Sequence, residues 1–155
     1  MEKQTLAIRP LVANELPPID LLLLADPSLP IVEDYLRRGT CLVGTVQEKT
    51  VGAFVLLPTR PETVELANVA VDERLHGQGL GRQLVLHAIR IARQARYKTI
   101  EIGTGNSSIG QLALYQKCGF RIVGVDPDFF IRHYEKEIYE NGLLCRDMIR
   151  LSMNL

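Results

Sequence analysis

Three alternating glycines, Gly77, Gly79 and Gly81, sit in the run His76-Gly-Gln78-Gly-Leu80-Gly-Arg82. Such glycines allow positive φ and let a ligand come close to the backbone. If a helix begins there, its unpaired N–H groups and the positive end of its dipole make an anion site. Successive N–H groups in such a turn also form a concave nest for phosphate. Arg82 falls in the first helical turn, where the dipole disfavours a cation, and an anionic ligand would offset that cost. The G-x-G-x-G spacing is neither the dinucleotide fingerprint nor the P-loop. Taken alone, the glycines read as a tight strand-to-helix turn with no ligand.

Proton-handling groups lie on either side of this turn. Tyr115 is a phenol with an ordinary pKa near 10, able to donate a proton or a hydrogen bond to an anion. Glu65 lies in Val64-Glu-Leu-Ala-Asn-Val-Ala-Val71 and shares alternate positions with Ala67, Val69 and Val71. A carboxylate in such an apolar row has its pKa raised and can act as a base. Glu101, opposite Ile100 and Ile102, is the second candidate, and a water chain is the third. Asp147 interrupts the row Leu143, Cys145, Ile149, Leu151 and Met153. It is either paired with a core Arg or His or holds a substrate ammonium. Residues 126–141 place Phe129, Phe130, Tyr134 and Tyr139 beside Asp126, Asp128, Glu135 and Glu137. That mixture suits a cationic amine, and equally a covering helix, a lid or a dimer contact.

The elements that must position these groups follow from periodicity. Residues 5–12 read as a strand. A helix capped by Asn14 runs to Asp26-Pro27, and a second covers residues 30–38. Residues 41–46 and 51–57 form a hairpin around the turn 47–50. Residues 63–71 make a central strand with apolar groups on both faces. Residues 79–95 are the clearest helix, burying Leu80, Leu84, Ala88, Ile91 and Ala95. A strand at 99–104, a helix at 107–118 and a strand at 120–125 follow. A helix over 128–140, ended by Asn141-Gly142, and a last strand at 143–153 complete a mixed α/β domain on one sheet.

Three blocks then add up. Arg74-Leu-His-Gly77-Gln-Gly79 matches the acetyl-CoA pattern Arg/Gln-x-x-Gly-x-Gly/Ala. The strand before it and Leu114-Tyr115-Gln-Lys-Cys-Gly119-Phe120 follow in order and at the right spacing. Together they resemble the GNAT acetyltransferase superfamily. The resemblance implies one domain over residues 1–155, with a single mixed, mostly antiparallel sheet flanked by helices, the acyl-CoA N-acyltransferase fold. It implies acetyl-CoA as co-substrate, with the pyrophosphate on the backbone of His76, Gly77, Gln78, Gly79, Leu80, Gly81 and Arg82. It implies a pantetheine arm along Val69, Ala70 and Val71, Tyr115 as thiolate donor and Glu65 as base. Many members carry a cofactor-touching asparagine where Ser108 stands here, so either Ser108 takes that role or Asn106 reaches in. His76 replaces the usual Arg or Gln, and either approaches a phosphate or is a surface turn residue.

Composition bounds the remaining classes. The chain has 155 residues, 46% hydrophobic and 23% charged, with 18 basic and 18 acidic side chains. A general nucleic-acid binder carries a basic excess, so no nucleic-acid partner is expected. Cys41, Cys118 and Cys145 are odd in number and widely spaced, against a disulfide framework or a zinc site. The N-terminus lacks a signal-peptide core, and the leucine run 21–24 is too short to span a bilayer. The expectation is a cytoplasmic N-acetyltransferase acting on a primary amine by direct attack, with no metal. A non-catalytic acyl-CoA module and an acetyltransferase for protein amines are the alternatives, and a homodimer is left open.

Overall fold

The computed structural model describes residues 5–155. Its seven-stranded sheet has the order β1-β2-β3-β4-β5-β9-β6, from β1 (Ala7–Pro10), β2 (Thr40–Val46), β3 (Lys49–Arg60), β4 (Thr63–Val71), β5 (Thr99–Gly105), β6 (Arg121–Asp126) and β9 (Met148–Asn154). A separate two-stranded hairpin joins β7 (Tyr139–Glu140) to β8 (Leu143–Leu144). Only β4 and β5 run parallel, and they pair over three residues alone: Thr63 with Thr99, Val64 with Ile100 and Glu65 with Glu101. Beyond Glu65 they separate.

Helices cover both faces of the sheet. On one, α1 (Ile19–Ala25) and α2 (Leu29–Arg38) bury Leu22, Val32 and Tyr35 against Val43, Ala53, Val55 and Leu57. On the other, α3 (Leu80–Gln94) packs Leu80, Leu84, Val85, Ala88, Ile89 and Ala92 on Phe54, Leu66 and Ile100. Each Val, Leu or Ile side chain so buried is worth roughly 1.5–3 kcal/mol over leaving it in water. The buried stripe of α3 turns away from Ala95, which is exposed, because 3.6 residues per turn carries it to Val85, Ile89 and Ala92. α4 (Ile109–Lys117) contributes Tyr115 to the same core.

Three expected elements take another form. Asn14 does not cap α1: it sits at φ 67, and the helix starts only after Pro17-Pro18. A proline disfavours helical geometry in the residue before it. Glu15 is meanwhile held by Arg9 at 2.7 Å and by the Val12 N–H at 3.0 Å. The expected helix over 128–140 shrinks to one turn, α5 (Phe129–His133). Asn141 and Gly142, at φ 53 and φ 75, form the two-residue turn of the β7–β8 hairpin instead of a helix end. The last strand correspondingly begins at Met148.

A bulge in β4 decides which way its side chains face. Leu66 lies opposite Leu56 and Asn68 opposite Val55, so Ala67 is an extra residue. Before it, Leu66 packs toward α3; after it, Val69 and Val71 do. Glu65 pairs with Leu57 of the α1/α2 layer and is therefore on the opposite face from Val69 and Val71, contrary to the simple alternation of the sequence.

Candidate active site

The glycine turn has the geometry an anion cradle needs. Gly77 and Gly79 both adopt φ +80, and a Cβ at either would meet nothing within 4 Å. The left-handed Gly79 is the N-cap of α3, and no side chain caps that end. The first N–H groups of α3 and Arg82 thus face a cleft of about 390 Å³. Arg82 is exposed and makes no ion pair among the described residues. Arg74, by contrast, is committed to Asp72, at 2.8 and 3.1 Å. Those bonds bring the Asp72 carboxyl down to about 2. The His76 ring lies along the cleft wall, its Nε2 donating to the Val71 carbonyl oxygen at 2.8 Å.

The wall of the cleft is the free edge of β4. The Asp72 N–H donates to Val51 O of β3 at 2.8 Å. Main-chain groups alternate along a strand, so those of Val71 and Val69 point away from β3 into the gap, while those of Ala70 pair with β3. Gly110, Gln111, Leu114 and Tyr115 of α4 form the facing wall.

A second, inner cavity of about 170 Å³ opens on the other side of the split. Tyr115 lines both spaces. It is 7% exposed, edge-on to Phe120, and burial pushes its hydroxyl up to about 12. No other described residue hydrogen-bonds that hydroxyl. Asp26, Asn68, Tyr134 and Glu140 also line the inner space. Asp26 accepts from Tyr134 Oη at 2.9 Å, from Tyr35 Oη at 3.4 Å and from Ser28 N at 3.2 Å. Burial raises the Asp26 carboxyl above its ordinary value despite these bonds. Asn68 donates to Tyr35 Oη at 2.6 Å and Leu22 O at 3.0 Å. Gly103 and Gly105 let Met148 and Cys145 pack directly onto β5, since a Cβ at either would collide with their sulfurs.

The model of the acetyltransferase (GNAT) family matches residues 11–120. The chain belongs to that family. It is 59% identical over 136 residues to an uncharacterized N-acetyltransferase, YvbK, of Bacillus subtilis, covering 88% of each chain. A Bacillus subtilis acetyltransferase solved in complex with CoA is 54% identical, with a TM-score of 0.92 over 97% of this chain and 99% of that one. A GNAT acetyltransferase from Elizabethkingia anophelis with acetyl-CoA bound is 45% identical, with a TM-score of 0.95 over 97% and 98%.

Within this GNAT N-acetyltransferase, the expected site residues divide. Val69, Ala70, Val71, His76, Gly77, Gly79, Leu80, Gly81, Arg82 and Tyr115 line the outer cleft, and Gln78 lies in the turn between them. Asn106 does not reach in. Its amide nitrogen donates to Leu144 O, and its oxygen accepts from Arg146 N and Asp147 N. Ser108 faces the inner cavity and donates to Glu140 at 3.1 Å. Glu65 lines neither space. Burial raises its carboxyl, against the attraction of Arg150 and Arg38. Glu101 pairs with Arg60. Asp147 binds neither a core cation nor a cavity; its carboxylate accepts from Asp128 N at 2.9 Å and fixes the entry to α5. Sequence reasoning missed Asp26, Asn68 and Glu140. The alternation Gly103-x-Gly105 on a strand was the one available sign that other groups approach closely there. Among the described residues no group of three His, Cys, Asp or Glu could hold a metal ion, and no helix is long and apolar enough to cross a membrane.

Proposed function

We propose that this GNAT enzyme transfers the acetyl group of acetyl-CoA to the primary amine of a small molecule by direct attack, in the cytoplasm. The observation that carries the reading is Tyr115, buried where the outer cleft and the inner cavity meet. Acetyl-CoA, the donor, supplies an activated thioester. The backbone of residues 76–82, opened by the two left-handed glycines, receives its pyrophosphate with Arg82 alongside. The edge groups of Val69 and the N–H of Val71, whose carbonyl His76 already engages, hold the pantetheine arm as an added strand, which aims the thioester past Tyr115. With its pKa raised, Tyr115 stays protonated at neutral pH and donates to the sulfur that departs. The amine enters from the inner cavity, whose size fits one small head group and not a peptide chain.

Two measurements test this together: calorimetry of the pure protein with CoA, and free-thiol release from acetyl-CoA across a panel of primary amines. Saturable CoA uptake and thiol release that depends on amine are expected. Folded protein that takes up no CoA overturns the reading.

A further inference from the structure

Resting on that acetyl-transfer reading, we propose that Asp26 receives the acceptor's ammonium group and takes its first proton, in a pocket shaped by Asn68, Tyr35 and Tyr134. The inner cavity lining contains two carboxylates, Asp26 and Glu140, and no Lys, Arg or His. Its potential therefore favours a cation. A partly buried carboxylate normally has a cationic partner, and Asp26 has none: its hydrogen bonds come from two tyrosine hydroxyls and one backbone N–H. Asn68 adds a second, independent sign. It lines the same cavity, is 4% exposed, and its Oδ1 is buried with no hydrogen-bond partner. Buried polar atoms are seldom left so, and an ammonium group has three N–H donors to share between a carboxylate and an amide oxygen.

Asp26 is better placed for this than Glu140. Its chain neighbours Leu24 and Ala25 line both spaces, as Tyr115 does, which puts it at the junction where the chemistry must occur. The Glu140 carboxylate is drawn aside by the hydroxyls of Ser107 and Ser108, at 3.4 and 3.1 Å. Tyr35 from α2 and Tyr134 from beyond α5 hold the Asp26 carboxylate from two sides, so it meets the acceptor in one orientation.

The protons balance as follows. The ammonium gives one proton to Asp26 and becomes a neutral amine. Its nitrogen bonds to the thioester carbonyl carbon as the carbon–sulfur bond breaks. Tyr115 gives its proton to the sulfur and regains one from the nitrogen. Asp26 then releases its proton to solvent, leaving an amide and free CoA thiol.

The test uses the full chain, with and without CoA, titrated calorimetrically with butylamine and with 1-butanol, which has the same shape and no charge. Butylamine should bind roughly tenfold or more tighter than butanol, and Asp26→Asn should lose that preference while CoA affinity stays within about twofold. Glu140→Gln should keep most of it, because that carboxylate is drawn aside by Ser107 and Ser108. The amide of Asp26→Asn can still accept from Tyr134, which protects the fold. Should that variant nevertheless lose its CoA binding, Tyr134→Phe replaces it and should weaken butylamine alone. The proposal is overturned if butanol binds as well as butylamine, if neither binds, or if Glu140→Gln and not Asp26→Asn removes the preference. Charge-selective amine binding by a wild-type protein that takes up no CoA would sink the acetyl-transfer reading and leave Asp26 as an amine site.

Discussion

The outer cleft is built largely by one continuous stretch, residues 69–82, whereas the inner cavity draws on the end of α1, the bulged part of β4, both glycines of β5, the start of α4 and the 126–148 segment. The outer one works through main-chain groups: strand-edge amides, a helix terminus and glycines at φ +80. Its chemistry is indifferent to most side chains, so it suits a donor that is constant across a family. The inner one works through side chains held by other side chains, as Tyr35 and Tyr134 hold Asp26. On the proposed reading, a single substitution there can change which acceptor is taken while the donor site stays as it is.

That contrast can be broken at its meeting point first. Tyr115→Phe should lower kcat by about 100-fold with the dissociation constants of CoA and amine nearly unchanged, because only a proton donor is lost. A variant that keeps its turnover in steady-state kinetics would remove Tyr115 from the chemistry. Gly79→Val attacks the outer side alone. A β-branched residue at φ +80 is strained by roughly 1–3 kcal/mol and re-aims the N–H groups of the turn, so CoA affinity should fall by about 30-fold while butylamine still binds. Equal losses for both ligands would show that the two spaces are not separable.

The smallest effect reads the inner side through stability. Burial raises the folded pKa of Asp26 above its unfolded value near 3.9. The group therefore contributes stability that is full below that value and is lost as pH rises through the folded one. Asp26→Asn should melt a few degrees higher than wild type at about pH 8, with the gap closing toward about pH 4. A variant that melts lower at the alkaline end would mean that the charge is well accommodated by its tyrosines and is not held in readiness for a cation.

The outer cleft was legible in the sequence because its determinants are local. The strand, the glycine spacing and the helix behind it all lie within residues 63–94, and periodicity alone locates α3 and β4. Tyr115 came from a block of residues that follows the glycines in order and at the right spacing, not from periodicity. The inner cavity was not legible. Asp26 precedes a proline and reads as a helix stop, which it also is. The Ala67 bulge is invisible to alternation, so Glu65 was put on the face that Val69 and Val71 occupy. Asn141-Gly142 has the composition of a helix end and of a hairpin turn alike, and only the register of Tyr139 with Leu144 separates the two. Asn106 looked like a ligand contact because an amide side chain bonds backbone and cofactor equally well; here it bonds the backbone of Arg146 and Asp147.

The hydrogen bond from Tyr134 to Asp26 spans 108 positions of the chain. During synthesis from the N-terminus, the strand, turn and helix of the donor site emerge together and can close on themselves, since short loops cost little entropy. The acceptor side waits for residues near the C-terminus. If the inner cavity takes the acceptor as proposed, a nascent chain released before Tyr134 would carry the cradle for the donor and half a wall for the acceptor, so selectivity is the last property this enzyme acquires as it folds.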